Sequence, residues 1–339
     1  MLDAGVVNMI KDSRPFSIME DEGFVELMKI VDPNYILPNR KALKEMIEKK
    51  YNEAKEKSKE QLQKASALSL TSDMWTSINM EAYLAVTCHF FHDDQLCSTL
   101  LGVKHFPQSH TAENFAEGHI NLMEEWGIRE ITKFLITDGA SNMIAMAKRL
   151  NVRHTVCVAD AINLMVKKSL DDAAGMNELR TKCRKVATYF RTSTTAKEQL
   201  FQLQMGGQPL KMIIEVDTHW KSTFLMFKHA YELKESVSAA LTTVNTDVAP
   251  LTASDYDITK EALVILGPFY EATVELSSEK KVSSSKVIPL MAMVHHAVVN
   301  RSSELTNIIA KNLAESLTKR AYFSYGNSKY VNIANSLGS

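Results

Sequence analysis

The chain has 339 residues, 45% hydrophobic and 23% charged, with 39 Lys+Arg against 40 Asp+Glu for a net charge of -1. That length can bury two or three cores, and a charge near zero excludes the overall basic signature of a chain that grips nucleic acid by bulk electrostatics. With only 12 Gly and 8 Pro, well under the usual frequencies of about 7% and 5%, breakers are scarce and long helices are expected.

The first 15 residues carry Asp3, Lys11, Asp12 and Arg14, which does not fit a secretory signal. No apolar run approaches the roughly 20 residues that span a bilayer, so no membrane association is expected. Cys88, Cys97, Cys157 and Cys183 form neither CxxC pairs nor zinc-finger spacing, which favours an intracellular protein with reduced thiols.

Residues 1–66 read as N-terminal helices. One starts near Asp21, and Pro33 to Pro38 breaks the chain. Asn39 is a plausible cap for a second helix from Arg40 through Lys64, whose mixed charges suit a solvated face. Residues 67–160 change character. Ala67–Asp73, Tyr83–Phe91 and Leu96–Val103 are β-rich, with a turn at His92–Gln95. Ser109 or Thr111 can cap a helix to Trp126, and Gly127 can stop it. A strand over Ile131–Thr137, a helix over Ser141–Leu150 and a strand over Thr155–Val158 complete the order β-β-β-α-β-α-β. This is a mixed α/β, ribonuclease-H-like core. Residues 161–339 form a large all-α insertion domain that makes the chain helix-rich, with helices expected near 161–172, 176–190, 194–204, 221–242, 255–276 and 286–320.

Two-metal phosphoryl transfer needs three converging carboxylates. Asp73 closes the first predicted strand and Asp138 the fourth, the two places such acids should occupy. Many α/β folds end a strand in Asp, so spacing alone carries little.

The wording of the sequence carries more. Thr71-Ser72-Asp73-Met74-Trp75-Thr76-Ser77, His110-Thr111-Ala112-Glu113-Asn114, Trp126-Gly127-Ile128 with Thr137-Asp138-Gly139-Ala140-Ser141-Asn142-Met143, and Asp217-Thr218-His219-Trp220-Lys221-Ser222 stand in that order. They resemble the ordered motifs of hAT transposases and their domesticated BED zinc-finger relatives, and the resemblance runs from about residue 15 to about 335. It implies Asp73 and Asp138 as metal-binding acids for Mg²⁺ or Mn²⁺, and Trp75 and Trp220 as tryptophans beside the active site. Trp126 is read as core.

Three departures weaken the catalytic set. Cys157-Val158-Ala159-Asp160 lacks the family's His, and His219 stands where Arg would offer a bidentate fork to phosphate. The resemblance also places a third acid and a dimerisation segment beyond the helical insertion, and the sequence ends at Ser339 before reaching them. Glu271, Glu275, Glu279, Glu304 and Glu315 are candidate substitutes, none singled out. A zinc site at His154, Cys157 and Asp160 is conceivable, against a small buried Cys157.

The expectation is therefore a nuclear, transposase-derived protein without strand-transfer catalysis, whose pair of vestigial acids holds a divalent ion weakly. Its role would lie in DNA binding and transcriptional regulation. Trp75, His219 and Trp220 are candidate DNA contacts, and Arg184 and Lys185 mark a local basic patch, unless those cations merely flank a buried stripe. The alternatives are a residual two-metal nuclease and a module for a homo- or hetero-oligomeric partner.

Overall fold

The computed structural model describes residues 11–204, 208–277 and 284–325. It divides into a first unit of Met1–Ile136 with Asn142–His154, and a second of Thr137–Ser141 with Thr155–Ser339.

In the first unit, helix α1 (Glu22–Val31) precedes α2 (Arg40–Gln63), where the Asn39 side chain accepts from the Ala42 N–H at 2.9 Å. Only Leu43 and Leu62 of α2 are buried, so its long run of charges is a solvated face. Met19 and Leu43 form a small core of their own, with Ile18, Phe24, Leu37, Met46 and Ile47 packed on it.

Strands β1 (Leu68–Thr76), β2 (Ala82–His92) and β3 (Gln95–His105) form an antiparallel meander. Asp93 (φ 48°) and Asp94 (φ 60°) both take positive φ between paired His92 and Gln95, the backbone of a two-residue type I′ hairpin. Helix α3 (Ala112–Trp126) is capped by Thr111, whose side chain accepts from the Asn114 N–H, and it ends at Gly127 in the left-handed region (φ 66°). Phe115, His119, Leu122 and Trp126 are buried at helical spacing, and Trp126 Nε1 donates to the Leu101 carbonyl at 2.9 Å, a core role. Strand β4 (Thr132–Thr137) runs parallel to β1, then come helix α4 (Ser141–Leu150) and β5 (Arg153–Val156). The sheet order is β3-β2-β1-β4-β5.

The second unit is helical: α5 (Val158–Asp172), α6 (Met176–Thr192), α7 (Thr194–Gln202), α8 (Trp220–Glu232), α9 (Lys234–Thr243), α10 (Ala253–Leu276), α11 (Val287–Ser302) and α12 (Ile308–Tyr325). One continuous apolar core joins them, with Phe190, Trp220, Phe227, Leu266 and Phe269 at its centre. No described helix is long and apolar enough to cross a membrane.

The structure corrects two expected helices. The span 221–242 is broken at Leu233, and the span 286–320 is interrupted between Ser302 and Ile308. The second break has a remote cause. The carboxylate of Glu261 on α10 accepts from Thr306 N–H at 3.1 Å and Asn307 N–H at 2.9 Å, satisfying donors just ahead of α12. Pro268 lies inside α10 without ending it. Its missing N–H would leave the Val264 carbonyl without a helical partner, and Arg301 Nη1 donates to that oxygen instead at 2.9 Å.

Candidate functional site

Strand alternation sorts β1 into two faces. Leu68, Leu70 and Ser72 point inward and are buried; Thr71, Asp73 and Trp75 share the other face. Beneath Asp73, Ser72 Oγ lies 2.9 Å from His119 Nε2, and His119 Nδ1 lies 2.7 Å from the Phe115 carbonyl. A carbonyl can only accept, so Nδ1 carries the proton and Nε2 accepts from the serine hydroxyl. This neutral histidine fixes the acid-bearing strand to α3. Burial pulls its pKa below the usual value, as it does for His89, whose Nε2 lies 2.9 Å from Thr71 Oγ1.

A depressed histidine pKa means the unfolded chain binds the proton first. The stabilisation is complete above about pH 6.5 and is lost as the pH falls through that value. The unfolding free energy from urea curves should therefore drop between pH 7 and pH 5, by up to about 1.4 kcal/mol per pH unit for buried His119. A His119→Gln variant should show a flatter profile over that window; an unchanged slope would mean that His119 titrates normally.

Asp73 is exposed, and its Oδ1 accepts from the Met74 N–H at 2.8 Å. Asp138 follows β4, half-buried, with Oδ1 accepting from the Ala140 N–H at 3.2 Å. Asp73 belongs to the first unit and Asp138 to the second. Among the described residues no three His, Cys, Asp or Glu side chains are grouped so as to hold a metal ion. Glu279 and residues 333–339 lie outside the described residues.

Trp75, 42% exposed, stacks on Tyr83 with centroids 5.8 Å apart and planes at 20°. Tyr83 in turn meets His105 at 5.6 Å. The register pairs Trp75 with Tyr83 and Tyr83 with His105, so three rings from three strands form one ladder on the face of Asp73.

In the second unit, Asn163 on α5 holds the loop before α8: its Oδ1 accepts from the Trp220 N–H at 2.9 Å and its Nδ2 donates to the Thr218 carbonyl at 3.0 Å. His219 precedes α8 as its N-cap residue without a side-chain cap bond. Glu215, its side chain 1% exposed, accepts from Thr223 Oγ1 at 2.8 Å and Arg180 Nε at 3.3 Å, and pairs with Arg184.

Two family models match this architecture: the ZBED1 RNase-like domain over residues 71–164 and the ZBED1 RNase-like helical domain over residues 155–263. Together they span 71–263, more than half of the 339 residues. The chain belongs to the hAT-transposase-derived BED proteins.

Its similarity to individual members is consistent. It is 28% identical over 249 residues to a Zea mays protein named "Putative AC transposase", covering 68% of this chain and 30% of that protein. It is 25% identical over 348 residues to zinc finger BED domain-containing protein 4 of Homo sapiens, covering 94% of this chain and 29% of that protein. With human zinc finger BED domain-containing protein 6 the identity is 24% over 327 residues, 88% of this chain and 32% of that protein. The chain thus spans about a third of the length of the curated relatives it matches.

For this BED-family chain the residues expected from sequence fall into separate groups. Trp75 is 42% exposed, whereas Trp220 is 1% exposed and has no face for a base. The expected basic patch is largely neutralised. Arg180 pairs with Asp171 and Glu215, Lys182 with Glu178 and Asp255, and Arg184 with Glu215 and Asp217. Lys185 remains exposed beside them. Sequence reasoning missed Tyr83, His105 and His119, because strand register and helix packing, not motif, bring them to Trp75 and Ser72.

Proposed function

We propose that this chain is the nucleic-acid-binding part of a nuclear, transposase-derived transcriptional regulator and performs no strand transfer itself. The observation that carries the reading is the Trp75–Tyr83–His105 ladder on the Asp73 face, with Trp75 and His105 exposed and Tyr83 half-buried. Bases stack on such rings whatever their sequence, at about 1–3 kcal/mol per base. The relatives' names support the regulatory setting: beside the BED proteins, a Talaromyces stipitatus protein 24% identical over 331 residues, 84% of this chain and 39% of that protein, is named "Putative transcriptional regulator tpeD".

The test pairs a DNA-retention assay with Mn²⁺ titration. Trp75→Ala should weaken DNA retention by roughly five- to a hundredfold, and no tight Mn²⁺ site should disappear in Asp73→Ala. Metal-dependent nicking or hairpin formation by the purified chain would overturn the inactive reading and favour a residual nuclease. Unchanged retention by Trp75→Ala would remove the ladder from the function.

A further inference from the structure

The second unit holds a pocket of about 280 Å³ between α6, α7 and the segment leading to α8. Its floor is apolar, formed by Phe190, Leu200 and Met212, each at most 2% exposed. Its rim carries Arg191, Lys197 and Lys211, all three exposed, and no acidic side chain lines it.

The contrast with the neutralised patch on α6 is physical. Arg180, Lys182 and Arg184 each have carboxylate partners, while Arg191, Lys197 and Lys211 have no ion pair among the described residues. Lys197 sits one turn into α7, whose first turn holds no acid, so its charge adds to the positive end of the helix dipole rather than offsetting it. Its Nζ lies 5.5 Å from the centroid of Phe201, which also lines the pocket. Three like charges around one concavity repel, and an anion relieves them.

The third cation is held in place by the backbone. Gln204 pairs its side-chain amide with Leu210 in both directions, Nε2 donating to the carbonyl at 2.9 Å and Oε1 accepting from the N–H at 2.7 Å. His229 Nδ1 donates to the Lys211 carbonyl at 2.7 Å. These bonds fix the chain on both sides of the Lys211 Cα, a geometry built before any ligand arrives.

We infer that this pocket binds the phosphodiester backbone of a single nucleic-acid strand, with the phosphate on Arg191, Lys197 and Lys211 and the adjoining nucleoside against Phe201. Cations paired with an aromatic ring suit a strand whose bases are free to stack, and the pocket is large enough for one phosphate with its sugar. The inference rests on the nucleic-acid reading above and adds a second place of contact, in the helical unit.

The test is fluorescence anisotropy of a labelled oligothymidylate of about a dozen nucleotides, titrated at several salt concentrations. The proteins are the full chain, its Lys197→Gln/Lys211→Gln variant and, as a surface control, Lys260→Gln. Removing two phosphate contacts should reduce the slope of log affinity against log salt by about 1.4 for a single strand, while the control keeps the wild-type slope. Wild-type binding with an unchanged slope in the double variant overturns the pocket and leaves the ladder standing. No binding by the wild-type chain overturns the nucleic-acid reading and this inference with it. All three lysines are exposed, so matching thermal melts should show that folding is intact.

Discussion

Glu215→Ala should destabilise the helical unit by about 3–5 kcal/mol, the range for removing one partner of a buried ion pair. The Glu215 side chain is 1% exposed and its partner Arg180 is 11% exposed, so the loss would leave a guanidinium that water reaches poorly with Asp171 as its remaining carboxylate. Thr223 Oγ1 would lose its acceptor as well. Arg184 adds less, because its side chain is 42% exposed and solvent screens the charge. The measurement is urea unfolding, where the midpoint should fall with little change in slope. A loss below about 1 kcal/mol would mean that the site is hydrated and the pair is a surface one. The same network changes how charge reversal at Arg184 must be understood. A glutamate there would face Glu215 and Asp217, so weaker DNA retention would report folding. Lys185, exposed and outside these pairs, is the informative position for a surface electrostatic effect.

What was legible in the sequence is what local chemistry decides. Asn39 and Thr111 cap their helices with their own side chains, Gly127 takes the left-handed turn, and Asp93-Asp94 forms the tight hairpin, each within a few residues of its cause. The ribonuclease-H-like order followed from those elements and from motif wording. The misread features have distant causes. The break before α12 depends on Glu261, 45 residues upstream of Thr306, and α10 passes through Pro268 with Arg301 supplying a donor from 37 residues away. The basic patch looked open because Glu215, which neutralises Arg180 and Arg184, lies 35 and 31 residues downstream of them. The ladder needed register: Trp75, Tyr83 and His105 have nothing in common in sequence until β1, β2 and β3 are paired. Position on a motif likewise gave Trp75 and Trp220 the same rank, and only burial separates them.

That separation gives the second large effect. Trp220→Ala should cost about 3–5 kcal/mol of stability, as deletion of a fully buried aromatic does when the surrounding core relaxes only in part. The ring meets Phe224 edge-on at 6.3 Å, and Phe224 stacks on Tyr270 at 4.6 Å, so the loss would reach the contact between α8 and α10. Trp220 Nε1 is buried without a hydrogen-bond partner among the described residues, which makes the indole a costly occupant of its own site. Trp220→Phe removes that unpaired donor and keeps most of the apolar volume, so it should stay within about 1–2 kcal/mol of wild type. Trp75→Ala should behave in the opposite way, with a stability change of about 0.5 kcal/mol or less, as for an exposed position, and a large loss of DNA retention. Urea midpoints and anisotropy on the same three variants decide the matter. If Trp220→Ala keeps its midpoint and loses DNA, the ring is a contact that opens on binding. If it loses its midpoint while Trp220→Phe retains both stability and binding, the tryptophan of this motif serves the core, and the exposed rings of the sheet carry the recognition.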